Sequence, residues 1–265
     1  ILRCLVGSEM CIRDSMSGAE THTASPLPDR AMILAAGRGT RLGTLTTTTP
    51  KPLIKVGGRA LIDLALEQLL AADVQRIVVN THHLGEQVQD HVRRWLRPEI
   101  IVSRETSLLD TGGGIRQASR WLGINPFFVM NSDVVWLDPP GRGLRRMAAQ
   151  WCNQRMDILL MLVSAIDARG YTGLGDFNML ADGRLERRQH SMAPFVFTGG
   201  YIVHPRALIG APPGPFSMNW AFDQAEARGR LFGMRFDGQW IDTGTPERLH
   251  LAGEEMVHAR QGELW

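Results

Sequence analysis

The chain is almost without lysine. Of its 29 Lys+Arg residues only Lys51 and Lys55 are lysine, the other 27 being arginine. A bias that strong suggests a GC-rich coding sequence, against which a lysine kept at position 51 points to a role rather than filler. A compact ammonium on a flexible stem does what a forked guanidinium cannot. Cysteine is scarce as well: Cys4, Cys11 and Cys152 fit no metal spacing and no disulfide framework, which makes a reducing cytoplasm the simplest compartment. No apolar run reaches the roughly 18 residues that span a bilayer, so no membrane partner is expected. A formal charge of +2 gives no broad field for nucleic acid, and Arg93-Arg94 and Arg145-Arg146 lie on helical patterns as solvated faces. Two common phosphate motifs are missing. Nothing matches the Walker pattern G-x-x-x-x-G-K-[ST], and the dinucleotide pattern G-x-G-x-x-G fails because Leu42 stands where its third glycine belongs. There are no internal repeats, and no hexapeptide repeat extends the C-terminus.

What is present suits one α/β domain. At 265 residues with 44% hydrophobic content the chain can bury a sizeable core. Residues 1–15 are too interrupted by charge for a signal peptide. They resemble translated adapter sequence of the kind that contaminates metagenomic assemblies, so Met16 is the expected start. Residues 17–30, rich in Ser, Thr, Pro and Gly, read as a flexible lead-in, which sets 1–30 apart from a domain over 31–265. Strand-like runs at 32–36, 76–80, 100–103, 127–131 and 158–163 alternate with helical spacing at 60–72, 84–96, 113–122 and 144–152. Such alternation, with strands apolar on both faces, predicts a Rossmann-like, mostly parallel sheet flanked by helices. Beyond residue 165, short segments at 175–180, 184–187, 195–203, 231–236 and 239–242 predict a smaller mixed sheet on the acceptor side. Helical patterns at 218–228 and 246–260 complete the chain.

The densest chemistry lies in Ile33-Leu-Ala-Ala-Gly-Arg-Gly-Thr-Arg-Leu42, followed by a threonine-rich spacer and Pro50-Lys51-Pro52. The glycines let the backbone approach a phosphate and point N–H groups at it. Arg41 and Lys51 can then neutralise a triphosphate. Ligands of parallel sheets bind beyond the carboxyl ends of the strands, where this loop and Asn131-Ser132-Asp133 both fall. A carboxylate there suits Mg²⁺, though a strand-end aspartate can simply cap.

These residues resemble the sugar-1-phosphate nucleotidyltransferases, whose pattern is G-x-G-T-R-[ML] followed by P-K-P. The resemblance covers about 31–260, with the nucleotide-diphospho-sugar transferase fold. Two positions depart from the pattern: Thr44 stands near a usual proline, and Ser132 replaces the glycine of the family's G-D. The resemblance implies that Ala35, Ala36, Gly37, Gly39, Thr40 and Asn80 bind nucleotide. Arg41 would orient the departing β- and γ-phosphates, and Lys51 would contact the α-phosphate. Asp133 and Asp242 would hold Mg²⁺, the latter within Trp240-Ile-Asp-Thr-Gly-Thr-Pro246, which also reads as a helix N-cap region.

Thr111-Gly112-Gly113-Gly114 offers a flat backbone that can read a base edge, or else a helix entry that needs positive φ. Its form resembles the branches acting on N-acetylmuramate 1-phosphate with UTP and on mannose 1-phosphate with GTP. Asp176, Thr198, Gly199 and Asn219 are the candidates for sugar contacts. His82, His83, His190, His204, His250 and His258 read as structural or solvated. The implied reaction is attack of a sugar 1-phosphate on the α-phosphorus of a nucleoside triphosphate, and it needs no general base because the nucleophile is already an anion. UTP with N-acetylmuramate 1-phosphate, a cell-wall recycling step, fits best, with GDP-mannose synthesis as the alternative. A non-catalytic sensor of nucleotide sugar would have lost Arg41, Lys51 or an aspartate, and none is missing. A monomer or small homo-oligomer is expected.

Overall fold

The computed structural model describes residues 28–189 and 191–260. The 1–15 segment, nearly all of the lead-in, Cys4, Cys11 and His190 lie outside the described residues. The domain starts slightly before the expected boundary: the Asp29 carbonyl accepts the amides of Gln75 and Arg76, and the first strand opens at Arg30.

In chain order the elements are β1 (Arg30–Leu34), α1 (Leu45–Thr48), β2 (Lys55–Val56), β3 (Arg59–Ala60), α2 (Leu61–Ala71), β4 (Arg76–Thr81) and α3 (Gly85–Val92). Then come β5 (Glu99–Arg104), α4 (Asp110–Leu122), β6 (Phe127–Asn131), β7 (Val134–Leu137), α5 (Arg142–Gln150) and β8 (Ile158–Ser164). The second half holds β9 (Phe177–Met179), β10 (Leu185–Arg187), β11 (Phe195–Val203), α6 (Asn219–Ala227), β12 (Leu231–Arg235), β13 (Gln239–Asp242) and α7 (Pro246–Arg260).

One sheet runs β10-β9-β11-β6-β1-β4-β5, with β8 and β12 attached through β11. The β6-β1-β4-β5 side is parallel, and β11 meets β6 and β8 antiparallel. Alternation along the strands feeds two cores. Ala31, Ile33, Ile77 and Val79 point toward α2 and α5, while Met32, Val78 and Val129 point toward α4 and α6. Strands buried on both faces explain the unbroken apolar runs. No described helix is long and apolar enough to cross a membrane.

The acceptor-side expectation is refined here. The segments at β9, β10, β11 and β12 extend the main sheet rather than forming a separate smaller one. The reason lies in β11, whose register shifts between Phe197 and Tyr201 so that it pairs with β9 before the bulge and β6 after it. Of the segments beyond residue 165, only β13 leaves the main sheet. It pairs antiparallel with β7, a strand absent from the sequence reading, with Asp242 opposite Val134. A third core of Leu42, Val56, Val135, Ile241, Leu249 and Met256 lies under α7 and fixes this ribbon against the glycine loop.

Candidate active site

Parallel strands β1, β4 and β6 end on one edge, and their following loops line a cleft of about 480 Å³. Seven of the residues expected to bind nucleotide or metal meet there: Ala35, Ala36, Gly37, Lys51, Asn80, Thr111 and Asp133. A Cβ on Gly37 would meet nothing within 4 Å, so its backbone faces open space. Gly39 is different. Its φ is +65°, and a Cβ there would come within 2.9 Å of Thr46 Cγ2 and 3.0 Å of Lys51 Cβ. The loop therefore folds onto the lysine stem. Thr46 Oγ1 donates to the carbonyls of Gly39 and Gly43 at 3.2 and 3.1 Å. Thr44 holds φ at −63°, the angle a proline ring would impose, so the missing proline leaves the local backbone angle intact.

Lys51 sits on a short 3₁₀ turn with its side chain 9% exposed, and its Nζ lies 2.5 Å from Asp133 Oδ2. Ser132 does not project toward that pair. It is buried, and its hydroxyl donates to the Leu34 carbonyl at 2.8 Å, tying β6 to the end of β1. The β7–β13 register brings Asp242 beside Asp133, and the Thr243 hydroxyl donates to the Asp133 carbonyl. Asp242 Oδ1 accepts the Gly244 amide at 2.9 Å, and Oδ2 is paired with Arg248. Exposed Arg41 reaches the same turn, since a Cβ on Gly244 would lie 2.9 Å from its Nη1. The two carboxylates and three cations thus form two groups, Lys51–Asp133 in the cleft and Arg41, Asp242 and Arg248 around the Gly244 turn, joined by the Thr243–Asp133 bond.

The other edge is organised by a buried pair, of which sequence reasoning named Asn80 and missed Glu105. Asn80 Oδ1 accepts the Ala35 amide at 2.8 Å, and Asn80 Nδ2 donates to Glu105 Oε1 at 2.7 Å. Glu105, 5% exposed, also accepts the Leu109 amide at 3.0 Å. The only local signal for Glu105 was its place just after a strand end.

The glycine triplet calls for a correction. Gly112 and Gly113 do not offer free amides to a base. Both donate to the Phe216 carbonyl, at 2.9 and 3.1 Å, and the Phe216 ring lies where a Gly112 Cβ would be. The positive φ at the helix entry belongs to Asp110, not to a glycine. Thr111 lines the cleft and accepts the Met218 amide at 2.8 Å.

The four candidate sugar residues separate. Thr198 is fully buried, its hydroxyl donating to the Met161 carbonyl at 2.9 Å, so that hydroxyl is turned away from the cleft. Its own carbonyl, freed by the bulge, accepts the indole N–H of Trp240 at 3.0 Å and of Trp136 at 3.4 Å. Asp176 accepts the Phe197 amide at 2.8 Å and so closes that bulge. Gly199, at φ +85°, backs onto cleft residue Asn131. Asn219 is exposed at the start of α6 beside Arg187. Nearby, burial and the charge of Asp176 push the Tyr171 phenol above its ordinary range. Of the histidines, His204 caps a 3₁₀ turn by accepting the Arg206 amide, and burial and the Arg206 charge hold it below the usual imidazole range.

Among the described residues no cluster of three or more His, Cys, Asp and Glu could hold a metal ion. A site of two carboxylates still fits Mg²⁺, which keeps several waters and takes its other ligands from phosphate.

A glycine loop at the carboxyl edge of a parallel sheet, with two cations and two aspartates beside it, defines a phosphoryl-group-handling enzyme of the nucleotide-binding α/β class. The nucleotidyl transferase family model matches residues 30–258. N-acetylmuramate alpha-1-phosphate uridylyltransferase of Caulobacter vibrioides is 39% identical over 241 residues, covering 89% of this chain and 100% of the relative. Mannose-1-phosphate guanylyltransferase catalytic subunit beta of Drosophila melanogaster is 29% identical over 225 residues, covering 82% of this chain and 60% of the relative. The crystal structure of HddC from Yersinia pseudotuberculosis superposes with a TM-score of 0.71 at 23% identity, covering 86% and 99% of the two chains. The chain belongs to the nucleotidyl transferase family and is a sugar-1-phosphate nucleotidyltransferase.

Proposed function

We propose that the chain transfers a uridylyl group from UTP to N-acetylmuramate 1-phosphate, in the cytoplasm and with Mg²⁺, releasing pyrophosphate. The observation that carries the choice of substrates is the 39% identity spanning the whole of the Caulobacter vibrioides uridylyltransferase. The guanylyltransferase match is weaker and spans 60% of that relative.

In this reading the triphosphate lies across Ala35–Thr40, and the base occupies the edge organised by Asn80, Glu105 and Thr111. The amide of Gly37 faces the phosphates. Lys51, already beside Asp133, meets the α-phosphate, and Arg41 meets the β- and γ-phosphates that leave. Asp133 and Asp242 would hold Mg²⁺, which when bound would offset charge developing on the α-phosphate. The sugar phosphate enters from the side of Asp176, Gly199 and Asn219, and its oxygen attacks in line with the departing pyrophosphate. Nothing has to remove a proton, so the rate comes from alignment and charge neutralisation.

The test is pyrophosphate release by the full chain with Mg²⁺, across UTP, GTP, CTP and dTTP. Each is offered with N-acetylmuramate 1-phosphate, mannose 1-phosphate and glucose 1-phosphate. UTP with the muramate sugar should give kcat/KM at least about tenfold above any other pair. A GTP–mannose preference would reassign the enzyme to GDP-sugar supply.

A further inference from the structure

A divalent ion approaching this site meets two carboxylates that are already neutralised. Asp133 Oδ2 lies 2.5 Å from Lys51 Nζ, and Asp242 Oδ2 is paired with Arg248 Nη1. The second pair is not a loose surface contact, because the side chains of Arg248 and Asp242 are each only 20% exposed. Arg248 projects from the first turn of α7. A Cβ on Gly170 would lie 3.4 Å from its Cγ, and its Nη2 donates to Thr172 Oγ1 at 3.2 Å. The guanidinium is thus held between the helix and the 170–172 loop, aimed at the carboxylate. With the other Asp242 oxygen on the Gly244 amide, both are engaged.

Mg²⁺ gives up its waters reluctantly, and an ion arriving alone must also displace two held cations. A triphosphate changes that balance. Its oxygens supply the ion with ligands, and they give the released ammonium and guanidinium new anionic partners. We propose that Arg248 is a positioning residue that keeps Asp242 from taking up a metal ion until nucleotide arrives, so that metal and triphosphate load together. The proposal rests on the reading of Asp133 and Asp242 as the metal carboxylates.

The experiment is Mn²⁺ binding to the full chain, followed by the electron paramagnetic resonance signal of free Mn²⁺, without and with UTP. Without UTP, R248Q should bind Mn²⁺ at least about tenfold more tightly than the parent chain. The double variant R248Q/D242N should lose that gain, and R248K should stay as weak as the parent. A gain that persists in the double variant overturns the proposal, because it then does not come from Asp242. If R248Q shows no gain while D242N weakens Mn²⁺ binding in the presence of UTP, the exchange is overturned and the metal reading stands. If R248Q shows no gain and D242N binds Mn²⁺ with UTP as the parent does, the metal reading itself fails.

Discussion

At the scale of single residues, the proposed chemistry turns on the chain's one buried lysine. Lys51 meets Asp133 through one short contact, and its stem is wedged against the Gly39 backbone. An ammonium can turn from a carboxylate to a phosphate about its terminal bonds, whereas a planar guanidinium presents a rigid fork that must reorient as a whole. Lys51→Arg keeps the charge and follows the composition of the chain, so it separates a required ammonium from a lysine retained by chance. We expect kcat/KM to fall at least about 100-fold, as for loss of a group that meets charge developing in the transition state. Near-ultraviolet circular dichroism and a thermal melt would establish that the variant is folded. Turnover near that of the parent would mean the residue is interchangeable and would remove its assigned role.

At the scale of elements, α4 packs as closely as it does because three of its first five residues lack a Cβ. A Cβ on Gly114 would sit 2.7 Å from Glu105 Oε1 and 2.8 Å from Asn80 Nδ2, inside the buried pair that holds Ala35. Gly114→Ala should therefore cost about 2 kcal/mol by urea unfolding and raise the KM for nucleotide, since Asn80 must move. Gly37→Ala is the contrasting case, because its Cβ would enter open space within the cleft. It should change stability by less than about 0.5 kcal/mol while still weakening nucleotide binding. Equal effects of the two substitutions on stability would sink the distinction. The same elements mark what the sequence made legible. β6 and β11 match their expected spans because an unbroken apolar run is a local signal. The glycine loop, Lys51, Asp133 and Asp242 could be named as candidates because each motif is contiguous in sequence. β7 escaped notice because it is four residues long and begins directly after Asp133, and its partner β13 lies about a hundred residues further on. Phe216, Glu105 and Arg248 were hidden for a related reason. What each does is set by a contact in the folded chain, and a glycine that makes room for a ring looks the same in sequence as one that makes room for a base.

At the scale of the whole molecule, the sheet is tied at the end opposite the cleft by one buried carboxylate. Asp157 precedes β8, its side chain is 4% exposed, and its Oδ1 accepts from Arg206 Nε at 2.5 Å and Arg230 Nε at 2.7 Å. Its backbone bonds to His204 and Arg230, so the end of β11 and the starts of β8 and β12 meet at this point. Burial pushes the carboxyl up, but the two guanidinium hydrogen bonds outweigh it and hold the group below the ordinary carboxylate range. A depressed folded pKa contributes stability that is fully present above the unfolded value, about 3.9, and that is lost as pH falls through the folded one. Asp157→Ala should therefore destabilise the chain by about 3 kcal/mol at pH 7, leaving two cations without their shared partner, while kcat is unchanged. The gap between parent and variant should begin to narrow below about pH 4, where the unfolded chain's carboxyl takes up a proton, and close as pH falls through the lower folded value. His204 faces the same knot and is also titratable, so both proteins are best compared in a His204→Gln background by urea midpoints from pH 7 to 3. A gap that stays constant to pH 3 would mean that the carboxylate charge is not what joins the three strands, and that the arginines hold them through the carbonyls of Asn153, Gln154 and Met156 alone.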